Sequence, residues 1–226
     1  MERVNIFNQV HKGLRAALYH TATMLQQVDF TSKAGAEEAF ELLKEVVMLF
    51  DEHARKEDKY ILPAIEQFEP SLSDCFKEEH VEDKALSAAL LEAIENFEKL
   101  DSREEKTAAG IALNHDFSAF MIFNLKHMQK EEDVLNKLLW RYYNDADILA
   151  IHDTIVQSIT PWHFDFYSKW MLRGLNNDEI IYWLKAVDSN APPVVFQTLF
   201  AKAKNEVSKE RFHSISASFS NITSIN

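Results

Sequence analysis

Residues 53–63 read HARKEDKYILP and residues 127–137 read HMQKEEDVLNK, so the pattern H-x-x-K-E-[DE] occurs twice in the chain. In each copy a histidine precedes a glutamate by four positions, His53 before Glu57 and His127 before Glu131. Side chains at positions i and i+4 of an α-helix lie on one face, with Cβ atoms about 6 Å apart. Each copy therefore brings an imidazole and a carboxylate together if the surrounding segment is helical.

The composition of the chain favours helices over sheets. Only 4 glycines and 5 prolines occur in 226 residues, so few residues are available for the turns of a many-stranded sheet. Leucine, alanine, glutamate and lysine, which are good helix formers, are abundant. With 46% hydrophobic residues, the chain is long enough to bury one sizeable core. We therefore predict an all-α protein.

Apolar residues at helical spacing predict four long helices, over residues 4–28, 36–68, 73–100 and 102–143. Ser73 or Asp74 is expected to cap the third helix, and Asp101 or Ser102 the fourth. The connections between the helices are short, which favours antiparallel neighbours. The predicted architecture is an up-down-up-down four-helix bundle in residues 1–145.

Residues 146–226 are predicted to form a C-terminal helical extension, with shorter helices over 146–159, 162–172, 178–187 and 194–207. Pro161 suits the first turn of a helix, and Gly174 suits the end of one. Asn177 or Asp178 is expected to cap the next helix. Residues 161–175, PWHFDFYSKWMLRGL, carry aromatic side chains on nearly every side. They either pack on the bundle or form a surface for a homodimer or another partner.

Four histidines are predicted to lie at one height of the bundle. In antiparallel helices joined by a short turn, residues equally distant from the turn lie at the same level. His11 and His53 are equally distant from position 32 in the first predicted turn. The sequence midpoint between His53 and His80 lies near the break after the second helix. The midpoint between His80 and His127 lies near the turn before the fourth helix. Each helix thus contributes one histidine to this level.

Two glutamates join the histidines at this level, because each is one helical turn from a histidine of its own repeat. Unpaired carboxylates are costly to bury, and two metal ions would satisfy the whole set. Imidazole and carboxylate ligands suit iron, zinc or manganese. His20 and His115 do not lie at the predicted level and are not expected to bind metal. The predicted metal ligands are His11, His53, Glu57, His80, His127 and Glu131.

The order H, H-x-x-x-E, H, H-x-x-x-E resembles the hemerythrin-like, or HHE cation-binding, family over about residues 5–143. In this family an acidic residue and then leucine and proline typically follow the motif; here these are Asp58, Leu62 and Pro63, and more loosely Glu132 and Leu135. The resemblance implies a non-haem centre of two iron ions, bridged by Glu57 and Glu131 and by an oxo or hydroxo group. It also implies contact with small ligands such as dioxygen, nitric oxide or peroxide.

The chain departs from the oxygen-carrying hemerythrins on its third helix. Those proteins place two histidines one turn apart there, whereas His80 has Phe76 on one side and Lys84 on the other. The chain looks closer to the hemerythrin-like domains of iron-responsive ubiquitin ligases, which also carry fewer histidines. Water, Glu79 or Asp83 would take the vacant ligand place, and reversible oxygen carriage is not expected.

Charge and cysteine content limit the other functions. A net charge of -12 repels nucleic-acid phosphates, so no nucleic-acid partner is expected. Cys75 is the single cysteine, which excludes an internal disulfide and fits a reducing compartment. Without an apolar signal region or a run of ~18 to 20 apolar residues, we expect a cytoplasmic protein with no membrane segment.

Two classes of function remain open at the level of sequence. The first is a di-iron protein that binds or senses oxygen, nitric oxide, peroxide or iron, with or without weak oxidase or peroxidase activity. The second is a helical interaction or regulatory protein whose metal site is structural or degenerate. Metal content separates these classes.

Overall fold

A computed structural model of the chain describes residues 3–219. All regular elements in this range are helical, which confirms the predicted all-α class. The α-helices are α1 (Asn8–Gln27), α2 (Lys33–Lys56), α3 (Leu62–Glu66), α4 (Pro70–Phe97), α5 (Arg103–Lys130), α6 (Asn136–Tyr142), α7 (Asp145–Gln157), α8 (Pro161–Gly174), α9 (Asn177–Asn190), α10 (Pro193–Glu206) and α11 (Lys209–Ala217).

Two of the predicted long helices contain a π-helical turn. One turn, Glu57–Ile61, separates α2 from α3, and the other, Glu131–Leu135, separates α5 from α6. The backbone N–H of Leu62 donates to the Glu57 carbonyl, and that of Asn136 donates to the Glu131 carbonyl. These i to i+5 bonds widen the helix at the same position of each H-x-x-K-E-[DE] copy. The sequence repeat therefore has a matching repeat of backbone shape.

The predicted helix starts are partly correct. Ser102 caps α5 in a capping box, in which its hydroxyl accepts from the Glu105 N–H and the Glu105 carboxylate accepts from Ser102 N–H. The predicted start of the third helix at Ser73 or Asp74 is wrong, since α4 begins at Pro70. Proline fits the first turn of a helix, because its missing N–H would have no partner there.

The described residues form two compact units. Unit 1 comprises residues 3–8 and 17–160, and unit 2 comprises residues 9–16 and 161–219. This grouping differs from the predicted division after residue 145, because α7 packs within unit 1 through the buried Ile148. Residues 220–226 of the predicted extension lie outside the described residues.

Unit 1 buries an apolar cluster around the two π-helical turns. Ile61 and Leu135, each the last residue of its turn, belong to this cluster with Phe76 of α4. The other buried members are Phe7, Leu62, Ile65, Leu139 and Ile148. Helix α4 contacts both α2 and α5. Phe50 of α2 meets Phe120 of α5 edge to face, with ring centroids 5.4 Å apart. The two repeat-bearing helices and α4 are thereby fixed together.

The first residues of unit 1 are attached to the end of α6. The indole N–H of Trp140 donates to the carbonyl oxygen of Val4 at 2.7 Å. The Arg3 guanidinium donates to the carbonyl oxygens of Trp140 and Tyr143, at 2.9 and 2.7 Å. It also pairs with Asp145 at 2.6 Å, which lowers the pKa of that carboxyl.

Unit 2 contains α8 to α11 and a short stretch of α1. Its core consists mainly of leucine, isoleucine and phenylalanine side chains, among them Leu172, Leu184 and Leu199. Helix α8 begins at Pro161 and ends at Gly174, as predicted, and α9 is capped by Asn176 instead of Asn177 or Asp178. The Asn176 side chain accepts from the Glu179 N–H. Helix α11 was not predicted.

No helix within residues 3–219 combines the length and the apolar content that crossing a membrane requires.

Candidate metal centre

The candidate site in unit 1 is built from three helices. His53 lies in the last turn of α2, and Glu57 is the first residue of the π-helical turn that follows. His127 and Glu131 occupy the equivalent places after α5. His80 lies in the middle of α4, on its buried face. The exposed fractions of these five residues are between 0% and 8%, so the cluster is shielded from water.

The imidazole and carboxylate groups of this cluster face one another closely. His127 Nε2 lies 2.8 Å from Glu131 Oε1, and His53 Nε2 lies 3.2 Å from Glu57 Oε1. His80 Nε2 connects the two repeats, at 3.4 Å from Glu57 Oε2 and 4.0 Å from Glu131 Oε1. The His80 and His127 rings meet edge to face at a centroid distance of 4.9 Å.

The ligand atoms of unit 1 form two overlapping groups. Glu57, His80, His127 and Glu131 each offer one atom, and these atoms lie within 4.8 Å of one another. His53, Glu57 and Glu131 satisfy the same limit. The groups share both glutamates, one group with His80 and His127 and the other with His53. Unit 1 therefore contains a candidate metal site of imidazole and carboxylate ligands.

The other histidines that the prediction considered within the bundle lie on α1 and α5. His11 is completely buried on α1, in the stretch 9–16 that groups with unit 2. His20 and His115 are exposed. Metal binding by the six predicted ligands stays a prediction.

Two carboxylates contact the Nδ1 atoms of the histidine rings, on the side away from the glutamates. This role was not predicted from the sequence. His80 Nδ1 lies 2.7 Å from Asp58 Oδ1, and His127 Nδ1 lies 2.7 Å from Glu79 Oε2. Glu79 also pairs with the ammonium group of Lys130. In the sequence, Asp58 follows one predicted ligand and Glu79 precedes another, but no helical periodicity links either of them to its histidine. Only the packing of helices against each other does so.

The residues around the vacant third-helix position differ in burial. Phe76 is fully buried and contacts the His127 ring at a centroid distance of 5.8 Å, whereas Lys84 is exposed. Asp83 is buried and accepts a hydrogen bond from Asn124 Nδ2 at 2.6 Å. Neither Glu79 nor Asp83 belongs to the ligand groups found among residues 3–219.

The electrostatics of the site favour a bound cation or bound protons. Burial raises the pKa of the Glu57 carboxyl well above its usual range, and the nearby Glu131 carboxylate raises it further. Burial lowers the pKa of His127, but Glu131 and the other carboxylates outweigh this effect and raise it to about 9. Both shifts arise because two carboxylates are held close together in a medium of low polarity.

Several buried atoms of the cluster need a partner. Among the described side chains, both carboxylate oxygens of Glu57 and the Nε2 atom of His80 make no hydrogen bond. Buried polar groups are rarely left in this state, and each one destabilises the fold by about 1–3 kcal/mol. These nitrogen and oxygen atoms are potential metal ligands, and they lie close to one another. They fit divalent metals such as iron, zinc or manganese.

Comparison with known proteins identifies one family. The sequence model of the Hemerythrin HHE cation binding domain family matches residues 3–139. The matched region contains all six predicted ligands and covers more than half of the 226 residues. No curated protein and no solved structure shows a significant match.

Proposed function

Because the chain belongs to the hemerythrin HHE cation-binding domain family, we propose that its buried histidines and glutamates bind two iron ions. The observation that carries this proposal is the sharing of Glu57 and Glu131 between two groups of ligand atoms. A carboxylate has two oxygens, so each glutamate is able to bridge two cations. His80 and His127 hold one ion in this assignment. Zinc or manganese would occupy the same ligands as substitutes.

The second ion requires more imidazole ligands than His53 alone. We assign His11 to this ion, because it is fully buried and because the spacing of the sequence puts it at the level of His53. This assignment includes a hemerythrin-like fold of four antiparallel segments. They are α1, α2 with α3, α4, and α5 with α6. Their short connections, at residues 28–32, 67–69 and 98–102, support the up-down-up-down order.

The proposed role of the centre is to bind or sense oxygen, nitric oxide, peroxide or iron. When bound, an oxo- or hydroxo-bridged pair of irons supplies electrons and open positions for such small ligands. The chain supplies a buried cluster of imidazoles and carboxylates that excludes bulk water. Phe76 and Lys84 provide no ligand on α4, so the protein offers fewer imidazoles than an oxygen carrier. This observation also favours a second candidate function, a weak oxidase or peroxidase.

Metal analysis of protein purified without chelator tests the proposal, together with its absorption spectrum. We expect about two irons per chain and a near-ultraviolet band from the bridging oxygen. Replacing His53 or His127 with alanine should remove iron, whereas replacing the exposed His20 or His115 should not. A folded wild-type protein that takes up no iron would instead identify a helical interaction protein with a degenerate site. Equal iron loss in the His20 and His53 variants would contradict the ligand assignment.

A further inference from the structure

Each imidazole on the α4 and α5 side of the site is hydrogen-bonded to a carboxylate from another helix. Asp58, in the π-helical turn after α2, reaches His80 on α4. Glu79, on α4, reaches His127 on α5. Both contacts measure 2.7 Å between the ring Nδ1 and a carboxylate oxygen. The two bonds connect the helices at the level of the predicted metal ligands.

These bonds determine which nitrogen of each ring is available. A carboxylate oxygen accepts a hydrogen bond, so the Nδ1 atoms of His80 and His127 carry the protons when the rings are neutral. The Nε2 atoms are then unprotonated, and they are the atoms that face Glu57 and Glu131. A metal ion binds the unprotonated nitrogen of an imidazole. The rings are therefore held in the tautomer and the orientation that metal binding requires.

Glu79 is itself fixed by further contacts. One of its oxygens pairs with the Lys130 ammonium group and the other accepts from His127. Lys130 also donates to Cys75 Sγ at 3.2 Å and lies 4.5 Å from the centre of the Phe76 ring. A carboxylate held on both sides loses little freedom when metal binds. This arrangement preorganises His127 before any cation arrives.

We propose that Asp58 and Glu79 are positioning residues that set the affinity of the metal ion held by His80 and His127. This inference rests on the proposed function, since it concerns one of its two ions. The carboxylates make the imidazoles better donors, and they fix the Nε2 atoms toward the shared glutamates. Removing either carboxylate therefore weakens the binding of this ion and leaves the binding of the other ion unchanged.

Titration of metal-free protein with Co²⁺ under anaerobic conditions tests the positioning role of Asp58 and Glu79. The absorption spectrum of bound Co²⁺ depends on the residues that coordinate it. Wild-type protein is expected to bind two ions. Glu79→Ala and Asp58→Ala should each weaken one of the two binding steps by about 10- to 100-fold, the usual effect of removing such a partner. Glu79→Gln and Asp58→Asn keep a hydrogen-bond acceptor without its charge, so their effect should be smaller.

Glu78→Ala provides the matched control, because Glu78 is the exposed neighbour of Glu79 on the same helix. Its two binding steps and its cobalt spectrum should equal those of wild type. Two unchanged steps in the Glu79→Ala and Asp58→Ala variants would overturn the inference alone. An equal weakening of both steps with a lower melting temperature of the metal-free variant would show a merely structural role. A wild-type protein that binds no Co²⁺ and no Fe²⁺ would overturn the proposed function as well.

Discussion

The side chains one turn from His80 on α4 differ in burial. Phe76 is buried against His127, and Lys84 is exposed. We predict that Phe76→His adds an imidazole to the site and increases metal retention, while the loss of apolar contacts lowers the stability of the metal-free form by roughly 1–3 kcal/mol. Competition with a chelator measures retention.

Lys84→His is the control for this substitution. It introduces the same side chain at the same distance along α4, but on the exposed side. Its chelator competition curve should therefore match that of wild type. If Lys84→His retained metal as strongly as Phe76→His, the vacancy would not be at position 76.

The protons held by the cluster predict how pH changes the metal-free protein. The pKa of Glu57 is raised by burial and by Glu131, and the pKa of His127 is raised to about 9, from 6.5, by the carboxylates that outweigh its burial. A group with a raised pKa stabilises the folded state below its unfolded pKa, and this stabilisation is lost as pH rises through the folded pKa. The free energy of unfolding should therefore fall between pH 6.5 and about 9.

Thermal melts of metal-free wild type and His127→Gln at several pH values check this expectation. The difference between the two curves reports the contribution of His127 together with its effect on the pKa of the nearby Glu57 carboxyl. Metal ligands must be deprotonated to bind, so the stabilisation by metal should increase over the same range. A metal-free melting temperature that rises with pH, relative to the variant, would contradict the prediction.

At the scale of residues, the sequence was informative where helical periodicity decides the outcome. His53 and His127 lie beside their glutamates because an i, i+4 pair shares a helix face. The roles of Asp58 and Glu79 were not predictable in this way. They depend on how α4 is rotated against its neighbours, which a single sequence does not state.

At the scale of elements, the two π-helical turns are the main feature that periodicity missed. Each turn begins at the glutamate of an H-x-x-K-E-[DE] copy. Apolar spacing cannot distinguish a π-helical turn from a continuous α-helix when the turn is only 5 residues long. Such turns occur frequently at functional sites, where they shift the backbone that carries a ligand. The repeat of the turn follows the repeat of the motif.

A close contact between α5 and the α1–α2 connection gives a prediction at the same scale. A Cβ atom at Gly110 would lie 2.3 Å from Cδ2 of Phe30, whose ring packs against Phe40 and Phe97. Gly110→Ala should therefore destabilise the protein by about 1–3 kcal/mol through the close contact. The better helix propensity of alanine offsets up to ~1 kcal/mol of this loss. Urea unfolding measures this change.

Phe30→Ala gives the background that separates the two effects. Alanine lacks Cγ and Cδ2, the two Phe30 atoms nearest to position 110, so the contact no longer forces a shift. In that background Gly110→Ala should be close to neutral or slightly stabilising. An unchanged penalty there would mean that the Phe30 ring is not its cause.

At the scale of the whole molecule, metal binding should contribute to stability. Removing the cations leaves carboxylates and imidazoles facing one another in the core, and a ligand that binds only the folded state stabilises it by about 2.7 kcal/mol at a hundredfold excess over Kd. For unit 1 this corresponds to a lower melting temperature in chelator, by roughly 5–10 °C. Calorimetry with verified metal loss measures the shift, and an unchanged melting curve would count against a buried site.

The division of the chain into two units was only partly accessible from sequence. A change from long to short helices near residue 145 suggested the boundary, but α7 packs within unit 1 and the stretch 9–16 of α1 groups with unit 2. Both assignments depend on contacts between residues far apart in the chain. Helix length alone does not encode these contacts.

Trp140, which is hydrogen-bonded to the backbone of Val4, provides a separate optical reporter. It is the single tryptophan of unit 1, since the other three, Trp162, Trp170 and Trp183, belong to unit 2. Indole fluorescence changes when the ring moves from a packed environment into water. The emission lost in Trp140→Phe therefore belongs to unit 1, and the emission that remains belongs to unit 2. Tryptophan fluorescence of wild type and Trp140→Phe therefore allows the unfolding of each unit to be followed separately.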